Sequence, residues 1–302
     1  MRALFVFTPP ESKRFIAKAV AQLPEVKKAK EEGEIVISHG STTGRVVEEI
    51  LGECPERDKF LSGQIINRVL CVTQAEGKPP MVVIRKGKLV PPELTMEEVL
   101  KNFNEGSVFI KGANAVDPEG NAGVYVAHPA GGTIGYAYST LSARGCHLIV
   151  PVGLEKLVPS VRTAAKHLGQ ATLDYSLGIK IGMVPIMNAT VITEIEAFRK
   201  LFGLEAIHVG SGGINGSEGA VTLVAEGEKK DMDRAIKLIE SIKGEPPIRS
   251  EKSLCINCLP TAASTLISPE EQFAEIEKKH CMFRGKKEEE LPPYLQQRVA
   301  KG

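Results

Sequence analysis

The sequence predicts an α/β protein with a doubly wound, mainly parallel sheet and a second, smaller α+β domain of the ferredoxin-like kind. Strand and helix patterns alternate over about the first 170 residues, as they do in doubly wound, Rossmann-like sheets. After residue 180, two helical patterns enclose a pair of strand patterns, an order typical of a ferredoxin-like layer. We therefore predict an α/β ligand-binding domain over residues 1–179 and 246–284, a ferredoxin-like domain over residues 180–245 and a charged tail over residues 285–302.

In the first part of the chain, short apolar runs predict strands and the segments after them predict helices. Residues 2–8 form an apolar run that predicts a buried strand, and helical spacing follows it to about residue 32. Residues 34–38 predict a second buried strand, which leads into a glycine loop at residues 40–44 and a helix over residues 45–51. A strand, a glycine loop and a helix in succession open a parallel α/β unit.

The same reasoning places the remaining elements. Strands are predicted at residues 66–73, 81–90 (a hairpin), 107–110, 148–150, 181–187, 205–210 and 219–226. Helices are predicted after the capping residue Thr95, over residues 131–143, from about residue 159, and over residues 190–202, 229–242 and 269–280. Residues 111–121 predict a polar loop, and residues 254–267 are expected to rejoin the first domain.

Composition excludes several broad classes of function. The 302 residues are 42% hydrophobic and 25% charged, which is ordinary for a globular protein. Their 38 basic and 37 acidic side chains give a formal charge of +1, so we predict no nucleic-acid or membrane partner, and any anion must be held locally. Without a signal peptide or a long apolar run, the chain is expected to be cytoplasmic. Homo-oligomer formation stays open.

The strongest local pattern is the glycine loop that follows the second strand. Two glycines enclose three hydroxyl side chains at the start of a helix, where free backbone N–H groups attract anions. We predict that this loop binds an anion through Gly40, Ser41, Thr42, Thr43 and Gly44, with Arg45 able to add charge. The alternative is a capped turn, since Ser and Thr favour such positions.

Two later loops carry further candidate groups. Lys111, Asn114 and Asp117 follow a predicted strand, at the edge where open α/β sheets bind ligands. The alternative is a hydrophilic turn at residues 117–120. The second loop consists of His128, a candidate acid or base, and the helix opening Gly131, Gly132 and Thr133, whose N–H groups are candidate ligand donors.

The cysteines predict free thiols and no metal or other cofactor. Six cysteines in 302 residues are too few for a disulfide framework. Cys255 and Cys258 have the spacing of a redox or metal motif, with His280 and Cys281 further on. One Cys-x-x-Cys pair without a second is a weak ligand set.

Taken in order, these loops resemble the ribose-5-phosphate isomerase A family, whose superfamily includes glucosamine-6-phosphate deaminases, sugar-responsive repressors and CoA transferases. The resemblance covers roughly residues 34–245 and is carried by Gly40-Ser41-Thr42, Gly112 to Asp117, Ala130 to Thr133, Leu154-Glu155-Lys156-Leu157 and Met183 to Ile186. It implies a fold that binds a sugar phosphate, with phosphate on the first of these loops and Lys156 facing the polar body of the ligand.

The sequence departs from that family at the groups needed for isomerisation. Asn114 and Ala115 stand where the family has two carboxylates, and residues 135–138 lack its glutamate base. We therefore predict binding of a small phosphorylated or anionic metabolite without interconversion of ribose 5-phosphate and ribulose 5-phosphate. Whether the chain is an enzyme stays open. Asp117, His128 and Lys156 are the candidate catalytic groups, and the alternatives are a non-enzymatic metabolite sensor or an acyl or CoA transferase using Glu119 or Glu155.

Overall fold

The computed structural model describes residues 1–73, 78–90, 94–258 and 281–296. The strands are β1 (Arg2–Phe7), β2 (Glu34–Ile37), β3 (Gly63–Ile66), β4 (Val69–Val72), β5 (Val82–Arg85), β6 (Lys88–Leu89), β7 (Val108–Ile110), β8 (Ala115–Val116), β9 (Ala122–Val126), β10 (His147–Pro151), β11 (Gly182–Ile186), β12 (Thr190–Ile192), β13 (Glu205–Gly212) and β14 (Ala220–Glu226). The helices are α1 (Pro9–Gln22), α2 (Pro24–Glu32), α3 (Ser41–Leu51), α4 (Met96–Lys101), α5 (Gly132–Arg144), α6 (Val161–Lys166), α7 (Glu194–Phe202) and α8 (Lys229–Ile242).

A six-stranded mixed sheet forms the centre of the molecule and confirms the α/β class. Its order is β12-β10-β7-β2-β5-β6, and the first four strands run parallel. β5 and β6 are antiparallel and form the predicted hairpin, in which Lys86 and Gly87 have positive φ angles of 47° and 76°. Two positive φ angles are those of the type I′ turn, whose twist matches that of a hairpin.

Both faces of this sheet are covered, which explains the continuous apolar runs in its strands. Along β2, Ile35 and Ile37 belong to one core with residues of α1, α2 and α3. Val36, which points to the opposite face, belongs to a second core with residues of α4 and α5. The parallel strands are thereby buried on both sides. Because these strands run in the same direction, the loops that follow them meet at one edge of the sheet.

The amino-terminal strand was expected to be buried, and this was wrong. β1 alternates between exposed and half-buried residues and pairs antiparallel with β14, which also pairs with β13. β11 pairs with β9, and β12 joins the central sheet beside β10. The strand expected at residues 181–187 therefore lies in a different sheet from β13 and β14, and β1 is the strand that joins them. Strands that pair across a long stretch of sequence leave no local pattern from which the pairing could be predicted. The division into two domains stays a prediction.

Other segments differ locally from expectation. Residues 66–73 were expected to be one strand, but they belong to a hairpin of β3 and β4 that turns at Asn67 and Arg68. The expected polar loop at 111–121 contains the short strand β8, and residues 190–192 are strand rather than helix. The expected helix 269–280 and most of residues 254–267 lie outside the described residues. Within those described residues, no helix is long and apolar enough to cross a membrane.

Candidate functional site

A cavity of about 1250 Å³ opens at the carboxyl ends of β2, β7 and β10. Neighbouring parallel strands bring their following loops together there, as Ser38 N–H donating to Ile110 O and Lys111 N–H donating to Ile149 O illustrate (3.0 Å each). The predicted site residues on its wall are Gly40, Ser41, Thr42, Lys111, Asn114, His128, Gly131, Gly132, Thr133 and Lys156. Thr43, Gly44 and Asp117 do not line the cavity.

The glycine loop divides into a cavity-facing part and a structural part. α3 begins at Ser41 rather than at residue 45, so the hydroxyls occupy its first turn. Gly40 precedes it and gives no side-chain cap, and the first N–H groups of a helix have no acceptor within the helix. Thr43 is fully buried, and its hydroxyl donates to Ser38 O at 2.6 Å. Ser41 and Thr42 thus remain available to a ligand, whereas Thr43 secures the turn.

Arg45, expected to add charge to this loop, is already engaged by carboxylates. Arg45 is 1% exposed, and its guanidinium lies 3.1 Å from a Glu48 oxygen and 2.8 Å from a Glu245 oxygen. A further N–H donates to Pro246 O at 2.9 Å. These pairs neutralise Arg45, so the positive charge for an anion must come from elsewhere.

Lys111 and Lys156 supply that charge. Lys111 Nζ donates to Gly112 O at 3.2 Å and Lys156 Nζ to Ala113 O at 2.9 Å. In the described part of the chain, neither ammonium has a carboxylate oxygen within 4.0 Å. Burial lowers the pKa of both to about 8, with repulsion from Lys156 adding to the effect at Lys111 and from Lys13 at Lys156. Their proximity follows from the adjacency of β7 and β10, which no sequence pattern revealed.

Two residues near these lysines, Lys78 and His39, were not predicted as site residues, and only Lys78 adds to the positive region. Lys78 Nζ donates to Ser62 Oγ at 3.0 Å, and burial followed by repulsion from Lys111 lowers its pKa to about 8. His39 donates from Nε2 to Pro79 O at 2.7 Å. Burial, with Lys78 as the next cause, lowers the pKa of His39 to about 3, so its ring is neutral at physiological pH.

Asp117 is the predicted catalytic group that the fold uses as a hydrogen-bond acceptor away from the cavity. Its Oδ1 accepts from the N–H groups of Glu119 (3.1 Å) and Asn121 (2.9 Å), and its Oδ2 accepts from Val161 N–H at 2.9 Å. Burial raises its pKa, but these hydrogen bonds outweigh burial and hold the pKa below its usual range. The carboxylate thereby joins the loop after β8 to the start of α6.

The loop at residues 128–133 forms another part of the cavity wall, and a hydrogen bond fixes the tautomer of its histidine. His128 Nδ1 accepts from Ala130 N–H at 3.1 Å, which leaves the proton of the neutral ring on Nε2. Burial lowers its pKa. Gly131 and Gly132, with φ angles of 80° and 57°, turn the chain into α5. The nearby Asn114 accepts through Oδ1 from Tyr125 N–H at 3.0 Å.

The two carboxylates considered for acyl transfer lie outside the cavity wall. Glu119 is exposed and accepts from the Asn121 side chain at 3.3 Å. Glu155 pairs with Lys13 at 3.2 Å. All six cysteines are free. Within the described residues, no group of three or more His, Cys, Asp or Glu side chains is arranged to hold a metal ion.

Comparison with known proteins gives a weak structural likeness. No known family matches the chain, and no curated protein matches it in sequence. A solved structure of a D-ribose-5-phosphate isomerase in complex with phospho-erythronic acid is 18% identical, with 80% of this chain and 91% of that chain covered, at a TM-score of 0.26.

Proposed function

We propose that the cavity binds a small phosphorylated metabolite, with the phosphate between the first turn of α3 and the ammonium groups of Lys111 and Lys156. The observation that carries this proposal is the pair of partly buried cations without a carboxylate within 4.0 Å in the described residues. Removing an ammonium from water costs free energy unless an opposite charge compensates it. A phosphate would supply that charge and accept from the N–H groups of α3.

The size and lining of the cavity favour a ligand with a body as well as a phosphate. Its volume of about 1250 Å³ exceeds the roughly 300–1,000 Å³ of ordinary small-molecule pockets. Away from the lysines, the wall is apolar at Ile65, Ile134, Ile179 and Ile181. We therefore favour a nucleotide-sized phosphorylated compound over a bare pentose phosphate.

Proton transfer by a carboxylate is disfavoured in this cavity. The acidic side chains on its wall, Glu11, Glu218 and Glu245, already accept hydrogen bonds or ion pairs from Thr8, Gly216 and Arg45 respectively. Lys111 and Lys156, with pKa values of about 8, and neutral His128 are the groups that could move a proton. The sensor alternative differs in having no turnover of the ligand it binds.

Titration calorimetry with matched variants tests the binding proposal. A nucleoside monophosphate and a sugar phosphate are each compared with the unphosphorylated compound, using the wild type, Lys111→Gln and Lys156→Gln. Each substitution should weaken binding of the phosphorylated compound by about 1.5–3 kcal/mol, or roughly ten- to hundredfold. Lys18→Gln is the control, because Lys18 pairs with Glu49 at 3.2 Å outside the cavity.

The unphosphorylated compounds provide a second control. The unphosphorylated compounds should show no difference between the wild type and the lysine variants. Equal affinity for phosphorylated and unphosphorylated compounds, or unchanged affinity in both cavity variants, would refute a phosphate site between α3 and these lysines.

A further inference from the structure

The three-stranded sheet of β1, β14 and β13 packs one face on helices, and its other face is exposed in the described part of the chain. On the packed face, Phe7 and Leu223 are fully buried, and the Phe5 ring lies 5.4 Å from that of Phe198 in α7. Outward side chains alternate with these along each strand, as the pleat of a strand requires. We call this surface the outer sheet face and define it by the outward residues Arg2, Leu4, Val6, Glu205, Ile207, Val209, Thr222, Val224 and Glu226.

The outer sheet face is apolar where the solvated face of an antiparallel sheet is ordinarily polar. Leu4 and Val6 are 63% and 43% exposed in β1, and Ile207 and Val209 are 66% and 55% exposed in β13. The strand register places Leu4 beside Val224 and Val224 beside Ile207, so an apolar row crosses all three strands. Contiguous exposed apolar patches mark interaction surfaces.

The two edges of this sheet are less suited to a partner than its face. Lys243 Nζ donates to the backbone oxygen of Val6 in β1, and the register of β13 shifts between His208 and Gly210. A lysine at one edge and a bulge in the strand at the other oppose the addition of a further strand. A partner is therefore expected to lie on the face itself.

The charges of the outer sheet face form one row beside the apolar row. Arg2 lies beside Glu226 in β14, and Glu226 lies beside Glu205 in β13. The positive charge is thus on the β1 side of the face, and a negative charge is on the β13 side. Arg2 and Glu205 pair within the chain with Glu226 and Arg199, but both side chains stay 71% exposed and can contact a second partner.

This arrangement of charged and apolar groups is complementary to itself. A two-fold axis that runs parallel to β14, between two such faces, places β1 of each copy over β13 of the other. Arg2 then lies opposite the partner's Glu205, and Leu4 lies opposite the partner's Ile207. Each of these contacts occurs twice, because the axis relates the two copies by the same rotation.

We propose that the outer sheet face binds the same face of a second copy of this chain, with β1 of each copy opposite β13 of the other. The two copies pack as aligned sheets about 10 Å apart, with their apolar rows in contact. Three strands about 4.8 Å apart, with the six residues of β1 rising about 3.3 Å each, give a face of about 14 by 20 Å, or roughly 300 Å².

The size of the face sets the expected strength of the dimer. Each partner in a stable interface buries roughly 800 Å², so we expect a dimer with a dissociation constant on the order of micromolar rather than a permanent one. The proposal does not depend on what the large cavity binds, because none of the residues of the outer sheet face lines that cavity.

Sedimentation equilibrium of the full chain across a concentration series tests the proposal. Between about 1 and 200 μM, the mean mass should rise from the 32.6 kDa of one chain toward twice that value. The mass of one chain at every concentration would overturn the proposal and assign this face to a different protein. Association that continues beyond two chains would also overturn it, because a two-fold arrangement closes at two copies.

Substitutions of the exposed apolar residues identify the interface. Leu4→Glu and Ile207→Glu each place two unpaired charges between the copies, and we expect each to raise the dissociation constant of the dimer at least about tenfold. Leu89→Glu is the matched control, because Leu89 is 62% exposed on β6, away from this face, and should keep the wild-type dissociation constant. A dimer that is unaffected by both substitutions on the face would refute the proposal. If a variant fails to fold, the concentration series of the unmodified chain still decides.

Exchange of the two charges tests how the copies are oriented. In homodimers, Arg2→Glu sets two carboxylates opposite each other and Glu205→Arg sets two guanidinium groups opposite each other, so each variant should dimerise about tenfold more weakly. In an equal mixture of these two variants, every charge again faces its opposite, and the heterodimer should regain the wild-type dissociation constant within about threefold. A mixture that dimerises no better than either variant alone would overturn the placement of β1 over β13.

Discussion

Replacing Asp117 with asparagine should destabilise the fold rather than act on a ligand directly. Each carboxylate oxygen accepts two N–H groups, Oδ1 from Glu119 and Asn121 and Oδ2 from Val161 and the Asn121 side chain. An asparagine keeps one oxygen and turns an NH₂ group toward the other two donors. Two hydrogen bonds to a charged acceptor are then lost, at about 1.5–3 kcal/mol each, so we expect a loss of roughly 3–6 kcal/mol in the free energy of unfolding.

Urea unfolding across a pH series measures this effect. The pKa of Asp117 is lowered in the folded chain, so its contribution is present above the unfolded pKa of about 3.9 and is lost as the pH falls through the folded value. The difference between wild type and Asp117→Asn should therefore be full at neutral pH and shrink below about pH 4. Exposed Asp174→Asn is the control, expected within about 0.5 kcal/mol of wild type. An equally small effect at Asp117, together with lost ligand binding, would refute the structural role.

Three further predictions concern the cavity. Burial lowers the pKa of Lys111 and Lys156 to about 8, so both side chains are charged below that pH. The affinity for a phosphorylated compound, measured by calorimetry, should therefore fall as the pH rises through about 8. An affinity that does not change with pH would contradict this prediction. Gly40 has an extended φ of 163°, and a Cβ there would lie 2.8 Å from Thr43 Oγ1. Gly40→Val should therefore disturb the Thr43 hydrogen bond, lowering the free energy of unfolding by about 1–2 kcal/mol in urea and weakening phosphate binding; wild-type values for both would argue against this contact. A coupled assay should detect no interconversion of ribose 5-phosphate and ribulose 5-phosphate. A turnover near 10 per second, about the median for enzymes, would contradict this prediction and show that a lysine or histidine serves as the base.

Features that depend on neighbouring residues could be predicted from the sequence. The apolar runs of β2, β7 and β10 and the hydroxyl-rich loop after β2 are local patterns, and the loops after parallel strands necessarily share an edge. The capping box of α4, in which Thr95 and Glu98 bond each other's backbone N–H groups, is equally local.

Features that depend on strand order could not be predicted in this way. The partnership of β1 with β14 and the meeting of Lys111 with Lys156 both require knowing which strands are adjacent. The role of Asp117 could not be predicted either. Its residue type suggested a polar site, but the path of the loop decides whether its carboxylate faces a cavity or accepts from the loop's own backbone.

The pairing of β1 with β14 has a consequence for how the chain is made. Arg2 and Glu226, which hydrogen-bond across this pair, are 224 residues apart. At about 5–20 residues per second, a ribosome takes roughly 10–45 s to supply β14 after β1 has been synthesised. During that interval the first strand has an open edge, and Phe7, fully buried in the finished protein, has no β14 beside it. Losses to aggregation during synthesis should accordingly follow the time taken to translate the middle of the message more closely than the stability of the folded chain.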